Sequence, residues 1–333
     1  MDYTRLGRSG LKVSRIAYGS WRTTSSVDGE KNSILCHQKA FENGINFFDT
    51  ADVYNQGQAE TVVGKFINQN KRSDLVIATK SCGTMGNQPN DKGLSRKHIM
   101  EACHQSLKRL NTDYIDLYQA HSEDKDTPIE ETVSAYQLLQ QQGKILYWGV
   151  SNWGPESMTK AKEVCAKFNW DFMISNQPKY NMFHRKVETN GTQLFCQDNG
   201  IGMILYSPLD QGLLTDKYRN NKIPEGSRAT ERDAMAEELK KDYYQKPLLE
   251  LYKLADELGV PLSSIALQWV LNQNAVTSTI IGAKTPDQIA ENLKCMNFKL
   301  TTEIKTRIDD ILERRKALIF KDDMEGINRK YGI

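Results

Sequence analysis

NFFDTADVYNQGQAE, residues 46–60, runs from a short apolar stretch into a carboxylate, Asp49, and then a phenol, Tyr54, five positions on. A strand that has just buried two phenylalanines delivers two ionisable groups into the loop beyond its end. The same rhythm recurs along the chain. Short apolar or β-rich runs stand at RIAYGS (15–20), INFFDT (45–50), LVIATK (75–80), YIDLYQAH (114–121), ILYWGVSN (145–152), FMISNQ (172–177), GMILYSPL (202–209) and STIIGA (278–283). Helical periodicity fills the gaps at 30–43, 59–70, 95–109 with Ser95 as N-cap, 129–142, 155–168, 185–199 and 247–258, the last stopping at Gly259 before Pro261. Eight strands alternating with helices point to an α/β fold, a (β/α)8 TIM barrel in one domain over residues 1–333. A doubly wound open sheet competes, but no G-x-G-x-x-G follows the first strand.

Two segments stand outside a plain barrel. YTRLGRSGLKV, residues 3–13, is expected to form a β-hairpin around a Gly-rich turn that plugs the barrel bottom. Residues 210–244 form a long polar loop after strand seven, for which a closing flap is one reading. From Thr301 the spacing of Ile304, Ile308, Ile311 and Leu312 reads as a surface helix, followed by a polar tail expected to be mobile.

Composition excludes several classes. The formal net charge of +2, with no basic stripe, argues against a nucleic-acid partner. No signal peptide opens the chain and no run of eighteen apolar residues occurs, so a cytoplasmic protein without direct membrane insertion is expected. Six scattered cysteines without a CxxC pair, and five histidines without HxxxH spacing, suggest reduced thiols and no metal. Cys82, two residues past Lys80, is the thiol nearest the expected chemistry.

On a barrel, groups at the strand C-terminal ends share one rim. Asp49 ends strand two, Tyr54 lies in its loop, Lys80 ends strand three and His121 ends strand four. Each alone has a plainer reading as turn former, packing residue or surface charge; together they suit the protonation of an oxyanion. An ammonium beside a phenol favours the phenolate and lowers its pKa, and a carboxylate keeps a buried lysine charged. A histidine beside the phenol can orient a carbonyl oxygen.

The chain also resembles a known family. FFDTADVYNQGQAE, ATK, YIDLYQAH, GLSRKHIMEACHQSLKRLNTDYIDLY, ISNQPKYNMF, YSPLDQGLLTDKY and IIGAKTPDQIAENL are similar, in order and nearly end to end, to motifs of the aldo-keto reductases. The resemblance implies an NADPH-dependent reductase of aldehydes or ketones, with Asp49, Tyr54, Lys80 and His121 as catalytic residues and Tyr54 as general acid. It also places Ser20, Trp21 and Asp49 near the nicotinamide, Ser151, Asn152 and Gln177 on its carboxamide, and Tyr206 against its ring. Ser207, Pro208, Leu209, Gly212, Lys217 and Arg228 would follow the pyrophosphate, and Gly282, Lys284, Gln288, Glu291 and Asn292 the adenosine end. A helix opening at TPDQIAEN, with Lys284 before it, suits the 2′-phosphate that distinguishes NADPH.

Within the family, LGRSGLKVS, NGINFFDTADVY, GLSRKHI, TPIEETV and the SRA of the long loop look most like the β subunits of voltage-gated potassium channels. That implies a possible homotetramer or channel partner beside the small carbonyl substrate, and a regulatory NADPH-binding subunit as the alternative function. The channel subunits place Asn where this chain has His121, and some carry a long N-terminal extension. Both departures favour a working enzyme.

Overall fold

The computed structural model describes residues 1–21, 29–231 and 233–331, so the last two residues of the tail lie outside the described residues. Among the described residues ten strands form: β1 (Tyr3–Arg5), β2 (Lys12–Ser14), β3 (Ile16–Gly19), β4 (Phe47–Asp49), β5 (Val76–Ser81), β6 (Ile115–Ala120), β7 (Ile145–Val150), β8 (Ser175–Asn176), β9 (Gly202–Leu205) and β10 (Val276–Ile281). β3 to β10 close into a parallel barrel in which β10 pairs with β3, so all eight expected strands are found and the TIM barrel is the fold. Buried on both faces, such strands read as apolar runs rather than alternating ones.

Side-chain alternation sorts the barrel. Ala17, Phe47, Val76, Ala78, Leu117, Ile204 and Ile280 form one buried cluster, together with Leu6 and Val13 of the hairpin. The antiparallel β1–β2 hairpin therefore packs its apolar residues onto the barrel core, as a plug does. Its turn needs glycine: Gly7 has φ +59°, and a Cβ there would come within 2.4 Å of the Gly200 carbonyl oxygen. Arg8 N–H donates to that same carbonyl at 2.8 Å.

The surrounding helices follow the sequence closely. Arg96–Leu110 starts after Ser95, whose Oγ accepts from the His98 N–H at 3.2 Å and caps the helix as expected. The helix expected over 185–199 is divided into Lys186–Thr189 and Thr192–Asn199, because Gly191 between them takes φ +79°. The chain falls into two compact units: Met1–Tyr180, Arg185–Tyr206 and Gln273–Asn292 in one, which holds the whole barrel, and Asn181–His184, Ser207–Asn272 and Leu293–Ile333 in the other.

Within the second unit, the helix Asp242–Leu258 begins five residues before the expected start, with Pro247 inside it, and ends at Gly259 in the left-handed region. Leu262–Leu271 is a helix the periodicity does not show: nine of its ten residues are buried, so it has no polar face to alternate with. The helix Thr302–Tyr331 continues through the polar tail. Arg315 on that helix is buried, its guanidinium 4.5 Å from the Phe183 ring and 5.1 Å from that of Tyr244. No helix among the described residues is long and apolar enough to cross a membrane.

Candidate active site

β4 and β5 are adjacent, with Asp49 opposite Ala78, so Asp49 and Lys80 reach the same rim from neighbouring strands. Ala78 and Val76 point into the barrel, and alternation sends Lys80 the same way. Lys80 is wholly buried; its Nζ donates to Asp49 Oδ1 at 2.6 Å, to the Thr50 carbonyl at 2.8 Å and to Tyr54 Oη at 3.4 Å. Asp49 Oδ2 in turn accepts from Gln177 Nε2 at 2.8 Å. The carboxylate is thus held from both sides, by the ammonium and by an amide from β8's end.

His121 follows β6, its N–H donating to the Ser81 carbonyl at 2.8 Å. Its ring meets Tyr54 edge-on at 5.6 Å, and Trp21, half exposed, lies 6.4 Å from Tyr54 on another side. The four residues that the sequence places on one rim, Asp49, Tyr54, Lys80 and His121, are brought together.

Electrostatics separates their states. Burial alone would strip Lys80 of its proton, yet Asp49 and Tyr54 outweigh that and raise its pKa, so the lysine stays an ammonium. Burial and then Lys80 push His121 down to about 3, so the imidazole is neutral in the physiological range. Tyr54 differs from the expected depression. Lys80 does act to lower it, but burial is the larger effect and raises the phenol, so Tyr54 keeps its proton.

Next to this cluster is a polar shelf at the ends of β7, β8 and β9. Ser151 Oγ donates to the Gln177 carbonyl at 2.8 Å, Asn152 Nδ2 to Ser151 Oγ at 3.0 Å, and Tyr206 Oη to Asn152 Oδ1 at 3.3 Å. Asn152 takes φ +58°, a left-handed conformation that asparagine tolerates and that exposes its amide. Ser20 Oγ donates to Thr50 Oγ1 at 2.8 Å, joining β3's end to the Asp49 loop. Trp153, which follows Asn152, is buried. Cys82 Sγ lies 3.2 Å from Ser122 Oγ, and burial raises its thiol pKa.

The residues expected at the adenosine end sit after β10. Gly282 is exposed with open space where a Cβ would stand, and Lys284 N–H donates to Gln288 Oε1 at 2.7 Å just ahead of the helix Pro286–Leu293. Glu291 is exposed on that helix and Asn292 is buried. Those expected along the pyrophosphate belong to the second unit. There Ser207 has φ +54° and its carbonyl accepts from Asn181 Nδ2 at 2.8 Å, while Pro208 is buried and Leu209 half-buried. Gly212 has φ +104°, Lys217 is exposed, and Arg228 Nη1 donates to Gln211 Oε1 at 3.0 Å.

A group that sequence reasoning missed lies in the opening stretch itself. Asp52 and Glu60 are wholly buried, and Glu60 Oε2 accepts from Arg109 Nε at 2.7 Å. A loop aspartate reads as a turn former, and nothing in local spacing signals burial behind the rim. Among the described residues no group of three or more His, Cys, Asp or Glu side chains is placed to hold a metal ion.

The match to the aldo/keto reductase family spans residues 15–313, which takes in every barrel strand. The chain belongs to the aldo/keto reductase family. Among its relatives are proteins named as a putative voltage-gated potassium channel subunit beta from Schizosaccharomyces pombe, 41% identical over 92% of both chains, and a probable one from Arabidopsis thaliana, 39% identical over 95% of this chain and 98% of that protein. A third, from Oryza sativa subsp. japonica, carries the same name as the plant relative and is 38% identical over the same shares. This aldo/keto reductase chain is therefore similar along nearly its whole length to the channel β-subunit branch, as the motifs imply.

Proposed function

We propose that the chain reduces aldehydes or ketones with a nicotinamide cofactor at the rim of the barrel. The observation that carries this is the buried Lys80 ammonium, shared between the Asp49 carboxylate and the protonated Tyr54 phenol. When bound, the cofactor supplies a hydride to the carbonyl carbon. Tyr54 gives its proton to the carbonyl oxygen, and the phenolate that results faces the Lys80 ammonium, which Asp49 fixes in place. Neutral His121 orients the same oxygen with a ring N–H, because an imidazolium so near Lys80 would be repelled. Water is kept from the pair by the burial of Lys80 and Asp49.

The hydroxyl and amide groups of Ser151, Asn152 and Gln177 are the donor and acceptor set that a carboxamide needs, and the half-buried Tyr206 ring lies bonded to that set. They fit the nicotinamide end. Lys284 ahead of a helix N-terminus favours a 2′-phosphate, so NADPH is the cofactor preferred over NADH. The test is cofactor consumption by the purified protein with an aromatic aldehyde, a dicarbonyl and a simple ketone. Tyr54→Phe is expected to lower turnover by about 10² to 10⁴-fold, the range for a general acid, and unchanged turnover would refute the assignment.

The names of the relatives favour a second role, as a cytoplasmic NADPH-binding β-type subunit of a membrane channel, alone or as a homotetramer. Tight cofactor binding without repeated turnover, together with recovery of a channel protein on the purified chain, would support it over the enzymatic role.

A further inference from the structure

The loop that carries Tyr54 holds a second carboxyl group for which the proposed reaction has no use. Asp52 Oδ1 accepts the Val53 N–H at 2.7 Å, but Oδ2 is buried without a hydrogen-bond partner. Other buried oxygens in the same condition include Ser81 Oγ on β5, Tyr118 Oη on β6 and Tyr136 Oη on the helix Ile129–Gln141. The two phenol rings meet at 5.7 Å, and both phenols respond to Asp52 and to Ser81. These groups occupy the layer between the barrel wall and its helices, behind the rim.

Counting charges there gives an odd proton. The groups that act on Asp52 are Glu60 from the helix Gln58–Ile67, Arg109 from the helix Arg96–Leu110 and Lys80 from β5. Tyr118, Tyr136 and Cys82 complete the set. Lys80 is engaged by Asp49, and Arg109 by Glu60, whose Oε1 also accepts from Thr79 Oγ1 at 2.5 Å. Two buried carboxyl groups share one guanidinium. An ionised Asp52 would be a buried charge without a counter-ion of its own, a cost that the neutral acid does not carry.

We propose that Asp52 is a positioning residue that works in its neutral form, its Oδ1 fixing the Val53 N–H in the loop that carries Tyr54. Asp52 N–H donates to the Lys80 carbonyl at 3.2 Å, and Tyr54 N–H to the Ala51 carbonyl at 3.2 Å, so one short loop ties the acid to the strand that supplies the ammonium. The role rests on the reductase reading above. Burial first, and the Glu60 charge second, move Asp52 from the usual 3.8 up to about 7, in line with a held proton.

Asp52→Asn tests it, being neutral at every pH and close in shape. Between 3.8 and about 7 the folded chain holds a proton that the unfolded chain has lost, so stability from Asp52 falls as pH rises through that window. The Tm of Asp52→Asn relative to wild type is therefore expected to climb across the window and level off above it. Wild-type turnover of an aromatic aldehyde is expected to fall about tenfold per pH unit above the ionisation, with KM unchanged, while Asp52→Asn stays flat over the same range. Should Asp52→Asn not fold, Glu60→Gln provides the second arm: removing the neighbouring negative charge moves the wild-type limb to lower pH.

A Tm difference independent of pH, or a limb that Glu60→Gln leaves in place, overturns the neutral Asp52. A pH-dependent Tm difference with superimposable turnover profiles overturns the positioning role alone. Tyr54→Phe, measured beside them, fails separately: retained turnover there refutes Tyr54 as the acid, and with it the positioning role of the loop that carries it.

Discussion

Asp49 closes β4 and Asp52 lies three residues on in the loop that follows; both are buried, yet they sit in opposite electrostatic settings. Asp49 faces an ammonium of its own at 2.6 Å and a second donor in Gln177, so it is part of a balanced pair. Asp52 shares Arg109 with Glu60 and comes out one charge short of balance. Burial is common to both sites. What separates them is the count of opposite charges within reach, and so a paired carboxylate and the neutral carboxyl proposed above arise from the same stretch of chain.

The largest test of that contrast is Lys80→Met. It leaves Asp49 buried with no cation, so turnover should be lost and stability should drop by about 3–5 kcal/mol, the cost of breaking a buried pair, read by urea unfolding. Arg109→Met applies the same insult to the second cluster. Because Arg109 is partly exposed, a smaller loss of about 2–3 kcal/mol is expected, with most of the turnover retained. If both variants lost turnover alike, the two clusters would be one functional unit and the contrast would fail.

His121→Asn gives a pH signature opposite to that of Asp52. The folded state depresses His121 from 6.5 to about 3, so wild-type stability from this group falls as pH drops through that window. The Asn variant removes the penalty, and its Tm relative to wild type should rise toward acid, with turnover about tenfold lower for want of the ring donor. A Tm difference that is flat from pH 6.5 to 4 would mean that His121 is not desolvated. Thr79→Val is the mildest change: it removes the hydroxyl on Glu60 Oε1, and about 1 kcal/mol of stability with it, leaving turnover at neutral pH unchanged.

Much of this architecture is legible without coordinates. Each barrel strand is a short apolar run ended by a polar or small residue, because parallel strands are covered on both faces and only their C-terminal ends open to the rim. The helix Leu262–Leu271 was not legible for the complementary reason: with nine buried positions it has no second face, and periodicity has nothing to report. The break at Gly191 within an amphipathic stretch is likewise silent, since either one helix or two satisfy the same spacing.

At the site, residue type and strand position were enough to bring Asp49, Tyr54, Lys80 and His121 to one rim. The proton positions were not. Lys80 was expected to depress Tyr54, and its pull is real, but how far burial opposes it depends on how many groups close over the phenol, which is a property of packing. Asp52 shows the same division in its strongest form. The sequence by itself determines the order of strands, the rim and the chemical types that meet there, because these follow from local periodicity and side-chain alternation. Only the tertiary structure decides which carboxyl finds a cation, since desolvation and charge pairing are set by neighbours distant along the chain, Lys80 for Asp49 and Glu60 with Arg109 for Asp52.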